Sequence, residues 1–267
     1  MNPEFAGFTG TIPDNYDLYM GPLFFEPYAI DLTERIKQHS PKKVLEIACG
    51  TGRVTNHLRR VLPADAELIA TDLNAGMLAV AKHKLASANI VFKEVDAQAL
   101  PFADNSFDLI ICQFGFMFMP DKPKAFAEAH RVLLPGGKLL FNTWDKLENN
   151  KASFIVRNVV AEALGKAEFY NIPFSMNDKW QIESTLRKTG FDEISVSYVS
   201  KKGTGITALE AAKGLLLGTP AFKQILEAGN VKPEELVIIA QSRLEDIYGK
   251  GPITTELNAW VVEAKKE

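Results

Sequence analysis

The chain is poor in cysteine and histidine and has no long apolar run. Its two cysteines, Cys49 and Cys112, exclude a disulfide scaffold and a four-cysteine zinc site. Both sit beside apolar runs, which suits reduced thiols. The four histidines, His39, His57, His83 and His130, fall in predicted helices. None is paired at a spacing such as H-E-x-x-H, so no metal is expected. No apolar stretch reaches the roughly 18 to 20 residues needed to cross a bilayer, so no membrane span is expected. The opening Met-Asn-Pro-Glu-Phe lacks the basic region and apolar core of a secretion signal, which predicts a cytoplasmic protein. An excess of one charge is missing too. Thirty basic and 33 acidic residues leave a net charge of −3, not the electrostatic footprint of a dedicated nucleic-acid binder. Apolar residues make up 46% and charged residues 24% of the 267, as in an ordinary globular protein. A chain of this length can bury roughly three quarters of its unfolded surface.

Short apolar or β-branched runs alternate with segments of helical period. Lys43–Ala48, Glu67–Asp72, Ile90–Val95, Phe107–Phe114 and Lys138–Thr143 read as strands. Gly52–Leu62, Ala75–Ala86 and Asp121–Leu133 read as the helices between them, and Leu134-Pro135-Gly136-Gly137 as a turn. This alternation predicts βαβ units, a parallel sheet and right-handed crossovers. The continuous apolar run Phe107–Phe114 suits a strand buried on both faces. The second half is less regular. Helices are expected over Ala152–Leu164, Lys179–Lys188 and, with breaks at Gly218-Thr219-Pro220 and Gly229–Pro233, over Thr207–Tyr248. Strands are expected over Glu193–Ser200 and Leu257–Ala264. With no clear linker, residues 1–267 read as one α/β domain with helical elaborations.

Ligands of such sheets bind beyond the carboxyl ends of the strands. The first such loop reads Glu46-Ile47-Ala48-Cys49-Gly50-Thr51-Gly52. Its glycines permit a tight passage from strand to helix and a close approach of a ligand to the backbone. Asp72 closes the second strand, where an acid can bond both hydroxyls of an adenosine ribose. Asp72 also fits a helix cap, but its place at the strand end favours the ribose. A dinucleotide needs a third small residue in G-x-G-x-x-G, and here that position holds Thr55. Glu46 is a liability beside a pyrophosphate and acceptable beside an ammonium or a sulfonium. It also suits a role as acceptor for the loop N–H groups. Cys49 contributes its backbone, and Cys112 is core.

V-L-E-I-A-C-G-T-G resembles the first motif of class I S-adenosylmethionine-dependent methyltransferases, with Ala48 in place of the first glycine. I-A-T-D-L-N-A-G-M-L resembles the second motif, V-D-A-Q-A-L-P-F-A-D-N-S-F-D the third, and R-V-L-L-P-G-G-K-L-L-F the entry to the fifth strand. The four stand in order across Val44–Phe141. The chain resembles most the small-molecule branch that includes ubiquinone and menaquinone biosynthesis C-methyltransferases, and Tyr16–Tyr28 resembles that branch's N-terminal helix. The resemblance implies a Rossmann-like fold, a seven-stranded mostly parallel sheet in order 3-2-1-4-5-7-6 with helices on both faces. It implies S-adenosyl-L-methionine as cofactor and S-adenosyl-L-homocysteine as product. It places the cofactor against Glu46, Ala48, Cys49, Gly50, Gly52, Asp72, Leu73, Met77, Asp96, Ala97, Gln98 and Gln113. In it Asp72 takes the ribose, Asp96 the adenine amino group, and the Ala97 backbone a ring nitrogen; Asp96 also fits a turn before Leu100-Pro101.

The expected reaction is in-line methyl transfer to a small, apolar metabolite. The place of an Asn/Asp-Pro-Pro-Tyr-like motif of nucleic-acid amino-methylating enzymes holds Gln113-Phe114-Gly115-Phe116, and the chain has no Pro-Cys. The run Phe114–Met119 reads either as core or as an apolar wall at the site. Tyr16, Tyr19, Tyr28, His130 and Tyr170 are candidate bases, and nothing in the sequence selects among them. Two other readings stand beside this one: a protein that holds the cofactor without catalysis, and a nicotinamide-dependent oxidoreductase. Residues 152–188 and 203–256 are expected to form a helical substrate cap or, alternatively, a dimer interface or simple bracing.

Overall fold

The computed structural model describes residues 7–37, 39–166, 169–229 and 231–267. One helical turn, Ile12–Asn15, leads into a wide-turned helix over Tyr16–Phe25 and then α1 (Glu26–Ile36). Pro22 lies inside the wide segment, and the Glu26 N–H reaches back five residues to the Gly21 carbonyl. Proline cannot donate and its ring crowds the carbonyl four residues earlier, so the ordinary helical register cannot pass through it.

There follow β1 (Lys43–Glu46), α2 (Arg53–Val61), β2 (Glu67–Asp72), α3 (Ala75–Lys84), β3 (Val91–Glu94), β4 (Phe107–Gln113), α4 (Lys122–Val132) and β5 (Leu133–Trp144). The remainder is α5 (Lys151–Leu164), α6 (Lys179–Lys188), β6 (Asp192–Thr207), α7 (Ala208–Leu217), α8 (Ala221–Ala228), α9 (Pro233–Tyr248) and β7 (Pro252–Lys265). His39 therefore falls after the end of α1, not in a helix as its surroundings predict, and lies 3.1 Å from Lys138 Nζ.

The seven strands form one sheet in the order β3-β2-β1-β4-β5-β7-β6. β1 to β5 run parallel and β7 runs antiparallel beside β5. This is the expected order. Leu134 to Gly137, expected as a turn, instead belong to β5 as a bulge between the pairs Phe107↔Leu133 and Leu109↔Lys138, with the Gly136 N–H donating to the Lys266 carbonyl at 2.7 Å and the Lys266 N–H to the Gly137 carbonyl at 3.0 Å. Gly136 takes φ +80 there.

The chain divides into two compact units. The sheet unit comprises Tyr28–Asp145, Pro173–Val199 and Ala259–Glu267. Its central strands are buried, as the apolar runs of β1 and β4 require. Phe116, Phe126 and Phe141 meet with ring centroids 4.5 to 5.4 Å apart and fill the space between β5 and α4. The helical unit comprises Lys146–Ile172, Ser200–Asn258 and the described residues up to Pro27. In it α9 packs on α7 and α5, and α7 packs on the wide helix. Gly214 makes that last approach possible, since a Cβ there would lie 3.0 Å from Tyr19 and Met20 side-chain atoms. Among the described residues no helix is long and apolar enough to cross a membrane.

Candidate functional site

Beyond the carboxyl ends of β1 and β2 the backbone of Ile47 to Gly52 makes a tight passage into α2. Ile47 N–H still donates to the Ile111 carbonyl of β4 at 2.8 Å, while Cys49 N–H donates across to the Thr71 carbonyl of β2 at 2.8 Å. Between and after these two anchors the chain turns through positive φ at Ala48 (+54), Gly50 (+56) and Gly52 (+80). At Gly50 a Cβ would meet nothing within 4 Å, so the backbone there is open. At Gly52 it would lie 3.0 Å from Ala81 Cβ, so this glycine lets the start of α2 press on α3. Gly52 caps α2 without a side-chain bond, which leaves first-turn N–H groups for other acceptors.

Asp72, 6% exposed, ties this loop to the next. Its Oδ2 accepts the Gly50 N–H at 2.8 Å. Its Oδ1 accepts the Asn74 N–H at 2.8 Å and Asn74 Nδ2 at 3.3 Å. Burial raises its pKa above the ordinary carboxyl value, while these N–H groups pull it back. Leu73 is half-buried beside it, and Met77 is buried in the first turn of α3.

Glu46, 2% exposed, closes β1. Its Oε2 has no hydrogen-bond partner among the described residues, nor has Thr55 Oγ1. Burial, with the neighbouring Asp72 carboxylate adding to it, raises Glu46 to about 8, and nearby Thr55 offsets part of that rise. Burial likewise pushes the Cys49 and Cys112 thiols up, so neither is a poised nucleophile.

Asp96 and Gln98 form a second cluster after β3. Asp96 Oδ1 accepts the Gln98 N–H at 2.8 Å and Gln98 Nε2 at 3.1 Å, and Gln98 Oε1 accepts the Asp121 N–H at 2.9 Å. Ala97 between them is buried. Val95 N–H donates to the Asp72 carbonyl at 3.0 Å, which joins this loop to β2. Gln113 ends β4, half-buried. Phe114 follows at φ +50, its ring stacked on Trp144 at 3.7 Å and met edge-on by Tyr28 at 5.2 Å.

The loops thus bring Glu46, Ala48, Cys49, Gly50, Gly52, Asp72, Leu73 and Met77 together, with Asp96, Ala97 and Gln98 on the adjoining loop. Of the candidate bases, Tyr28 is fully buried and donates its hydroxyl to the Val199 carbonyl at 2.8 Å. Burial and then Asp31 hold that phenol far above its ordinary pKa, so it is a neutral donor. His130 lies in the last turn of α4, at the opposite end of the sheet from these loops, edge-on to Phe191 at 5.1 Å. Tyr16, Tyr19 and Tyr170 belong to the helical unit.

Sequence reasoning gave no role to Asn74 or Asn142, and took Gly115 only as part of the run Phe114–Met119. Asn74 doubles the hold on Asp72. A Cβ at Gly115 would lie 2.6 Å from both Ala48 Cβ and Cys112 Sγ, so only glycine lets the end of β4 meet the first loop. Asn142 is a lone amide in an apolar strand, an oddity that marks the position without revealing its role.

Residues 45–141 match the family described as "Methyltransferase domain". The ubiquinone/menaquinone biosynthesis C-methyltransferase UbiE of Pectobacterium atrosepticum is 33% identical over 184 residues, covering 63% of this chain and 72% of the relative. That of Saccharophagus degradans is 41% identical over 114 residues, covering 41% of this chain and 46% of the relative. In that match, as in the one to Marinomonas, the chain spans about half the length of the curated relative. Phosphoethanolamine N-methyltransferase 2 of Haemonchus contortus, solved with phosphomonomethylethanolamine and S-adenosylhomocysteine, aligns with a TM-score of 0.63 at 21% identity, covering 99% of this chain and 59% of that one. YcgJ of Bacillus subtilis aligns with a TM-score of 0.59 at 20% identity, covering 89% and 99%. These two show the same fold.

Proposed function

The chain belongs to the class I S-adenosylmethionine-dependent methyltransferase family, in the branch resembling the ubiquinone/menaquinone C-methyltransferases, and from that premise we propose that it methylates a small, apolar metabolite. The observation that carries the reading is Asp72, a buried carboxylate at the end of β2 that is hydrogen-bonded to the glycine loop.

The residues fit the cofactor. A carboxylate offers about four acceptor positions. Oδ2 of Asp72 accepts the Gly50 N–H, and the Leu73 N–H also bonds this carboxylate, so a ribose hydroxyl competes with backbone donors for it. Oδ1 uses two, both on Asn74, and the longer of them, at 3.3 Å, is the one a second hydroxyl displaces. The open backbone at Gly50 admits a ligand, and the unpartnered Glu46 Oε2 suits the cofactor's ammonium group. We assign Asp96 to the adenine amino group, the Ala97 backbone to a ring nitrogen, and Leu73 and Met77 to the apolar surround of the adenine. Gln98, by bonding Asp96, holds that acid in place, while Ala48, Cys49, Gly52 and Gln113 line the amino acid end.

When bound, the cofactor supplies an activated methyl group. The chain then has to hold that methyl in line with the acceptor atom and keep water out. The relatives are C-methyltransferases, which puts carbon first as that atom. We place the activity in the cytoplasm.

Titration calorimetry with S-adenosylmethionine, S-adenosylhomocysteine and NADH tests the cofactor. Micromolar binding of the first two and none of the third is expected, and preference for NADH refutes the reading. Labelled methyl transfer into a metabolite extract tests turnover. Binding without any transfer leaves a cofactor-holding protein and overturns the enzymatic reading.

A further inference from the structure

Strand β5 runs Lys-Leu-Leu-Phe-Asn-Thr-Trp from 138 to 144, and Asn142 in it is fully buried. Its register partner across the parallel ladder is Gln113, the last residue of β4. One residue further on, the Phe114 N–H meets two acceptors. The Asn142 side-chain Oδ1 lies at 2.9 Å and the Asn142 main-chain carbonyl at 3.3 Å. The side chain has taken over most of a bond that the ladder would otherwise make. It does so where the backbone is under strain, because Phe114 stands at φ +50, a conformation unfavourable for a bulky residue. Stacking on Trp144 at 3.7 Å holds the ring from one side, and Oδ1 holds the backbone.

The consequence reaches the glycine loop. The turn at Phe114 lays Gly115 against Ala48 so closely that a Cβ would come within 2.6 Å. Ala48 itself stands at φ +54. Two strained turns, one after β1 and one after β4, therefore brace each other, and Asn142 fastens the second.

The other end of the same amide argues that folding alone does not explain this residue. Because Oδ1 is engaged by Phe114, the orientation of the amide is set, and Nδ2 points away from that bond. Nδ2 is buried and has no hydrogen-bond partner among the described residues. A buried donor left unpaired is destabilising. Leucine has nearly the same shape and no donor, and the Phe114 N–H would keep its main-chain acceptor. For stability alone, leucine serves at least as well.

We propose that Asn142 is a positioning residue of the cofactor site, which holds the Phe114–Gly115 turn against Ala48 and so sets the glycine loop for its ligand. The inference rests on the functional reading above.

Two variants separate positioning from stability. Asn142→Leu removes both the bond to Phe114 and the unpaired donor. Asn142→Asp keeps an oxygen for Phe114 and places an unfavourable buried carboxyl. Expected for Asn142→Leu is an unfolding midpoint equal to or above that of the unaltered protein, with affinity for S-adenosylhomocysteine lower by about tenfold. Expected for Asn142→Asp is a lower midpoint with affinity within about threefold of the unaltered protein. Affinity and stability then rank in opposite orders, which a structural role does not produce. Tight binding by Asn142→Leu, or affinity that follows the midpoint through the series, overturns the proposal. Amide hydrogen exchange of the ligand-free proteins is the second readout. In Asn142→Leu, peptides covering 47–52 and 112–116 should exchange faster while the rest of the sheet does not, and unchanged exchange in both also overturns it. If the unaltered protein binds no S-adenosylhomocysteine, the functional reading has failed, and the exchange experiment still decides the role of Asn142.

Discussion

Glu46→Gln is the perturbation with the largest expected effect on stability. The side chain is 2% exposed, its Oε2 has no hydrogen-bond partner among the described residues, and the Asp72 carboxylate is near. Burial, with Asp72 adding to it, lifts the acid from its ordinary 4.5 to about 8. A tenfold change in proton affinity corresponds to about 1.4 kcal/mol, so the interval between those two values amounts to roughly 5 kcal/mol as a ceiling. The folded chain holds this proton more tightly than the unfolded chain. Its contribution is therefore fully present below about pH 4.5, falls as pH rises, and is exhausted above about 8. Glutamine does not titrate and keeps nearly the same shape. The stability difference between Glu46→Gln and the unaltered protein should thus move in favour of the variant as pH rises, and level off above about pH 8. Asp72, also raised by burial, titrates in both proteins and drops out of the comparison.

The assay is urea unfolding from about pH 5 to about pH 9, read as the difference in unfolding free energy. Losses from relaxation around the site will reduce the ceiling, and a change of a few kcal/mol across the range is expected. A difference independent of pH would refute the reasoning, because it would mean that Glu46 ionises as in the unfolded chain. The same acid should act on binding. An ammonium group placed beside it favours the charged carboxylate, so at neutral pH cofactor binding by the unaltered protein should release protons that Glu46→Gln does not release. Calorimetry in two buffers of different ionisation enthalpy measures this count.

Asp72→Ala removes the acceptor of both Gly50 and the ribose, and charge-assisted bonds of this kind are worth roughly 1.5 to 3 kcal/mol. Calorimetry should show affinity for S-adenosylmethionine about ten- to a hundredfold lower, and undiminished binding would exclude the ribose role. Gly115→Ala puts a Cβ 2.6 Å from Ala48 Cβ and Cys112 Sγ, and the Ala48 Cβ, fixed to its backbone, cannot swing aside. Unfolding should show a loss of about 1 to 3 kcal/mol, and a neutral result would mean that the two turns are not in contact. Thr207 and Glu210 exchange hydrogen bonds at the start of α7, Thr207 Oγ1 accepting the Glu210 N–H at 3.3 Å and Glu210 Oε2 accepting the Thr207 N–H at 2.7 Å. Thr207→Ala should cost about 1 kcal/mol of stability, with cofactor affinity unchanged in the same calorimetric titration.

The parts of the fold that follow from local periodicity were readable residue by residue. The apolar runs of β1, β2 and β4 and the helical period of α2 to α4 fall within a few residues of their expected bounds. The misread end of β6 has a cause that lies outside the local sequence. The helical stretch runs from Ala208 to Tyr248, as expected, but β6 continues past Ser200 through Lys-Lys-Gly-Thr-Gly-Ile-Thr to Thr207, and β7 begins at Pro252 rather than Leu257. Glycine within a run signals a turn when only neighbours in sequence are known. Here Gly203 has a different purpose, because a Cβ on it would come within 2.3 Å of the Leu23 carbonyl. The N-terminal segment passes directly over this strand, and the glycine makes room for its backbone. The reason for that residue lies some 180 positions away in sequence.

The site divides along the same line. Asp72 and the glycine loop could be recognised because their chemistry is local: a loop that must turn tightly, and an acid at the end of the next strand. Asn142 could not, although a single amide among Leu139, Leu140, Phe141 and Trp144 is conspicuous. Its role depends on the register that pairs it with Gln113 and on a positive φ at Phe114. Neither follows from residue type, since phenylalanine is among the last residues expected in that conformation. Strain of this kind persists only where surrounding structure over-determines it. At Phe114 the determinants come from separate parts of the chain: the β5 amide, the Trp144 ring, the Tyr28 edge and the glycine loop pressed on Gly115. A change at any of them should therefore be felt at the glycine loop before it is felt in the sheet.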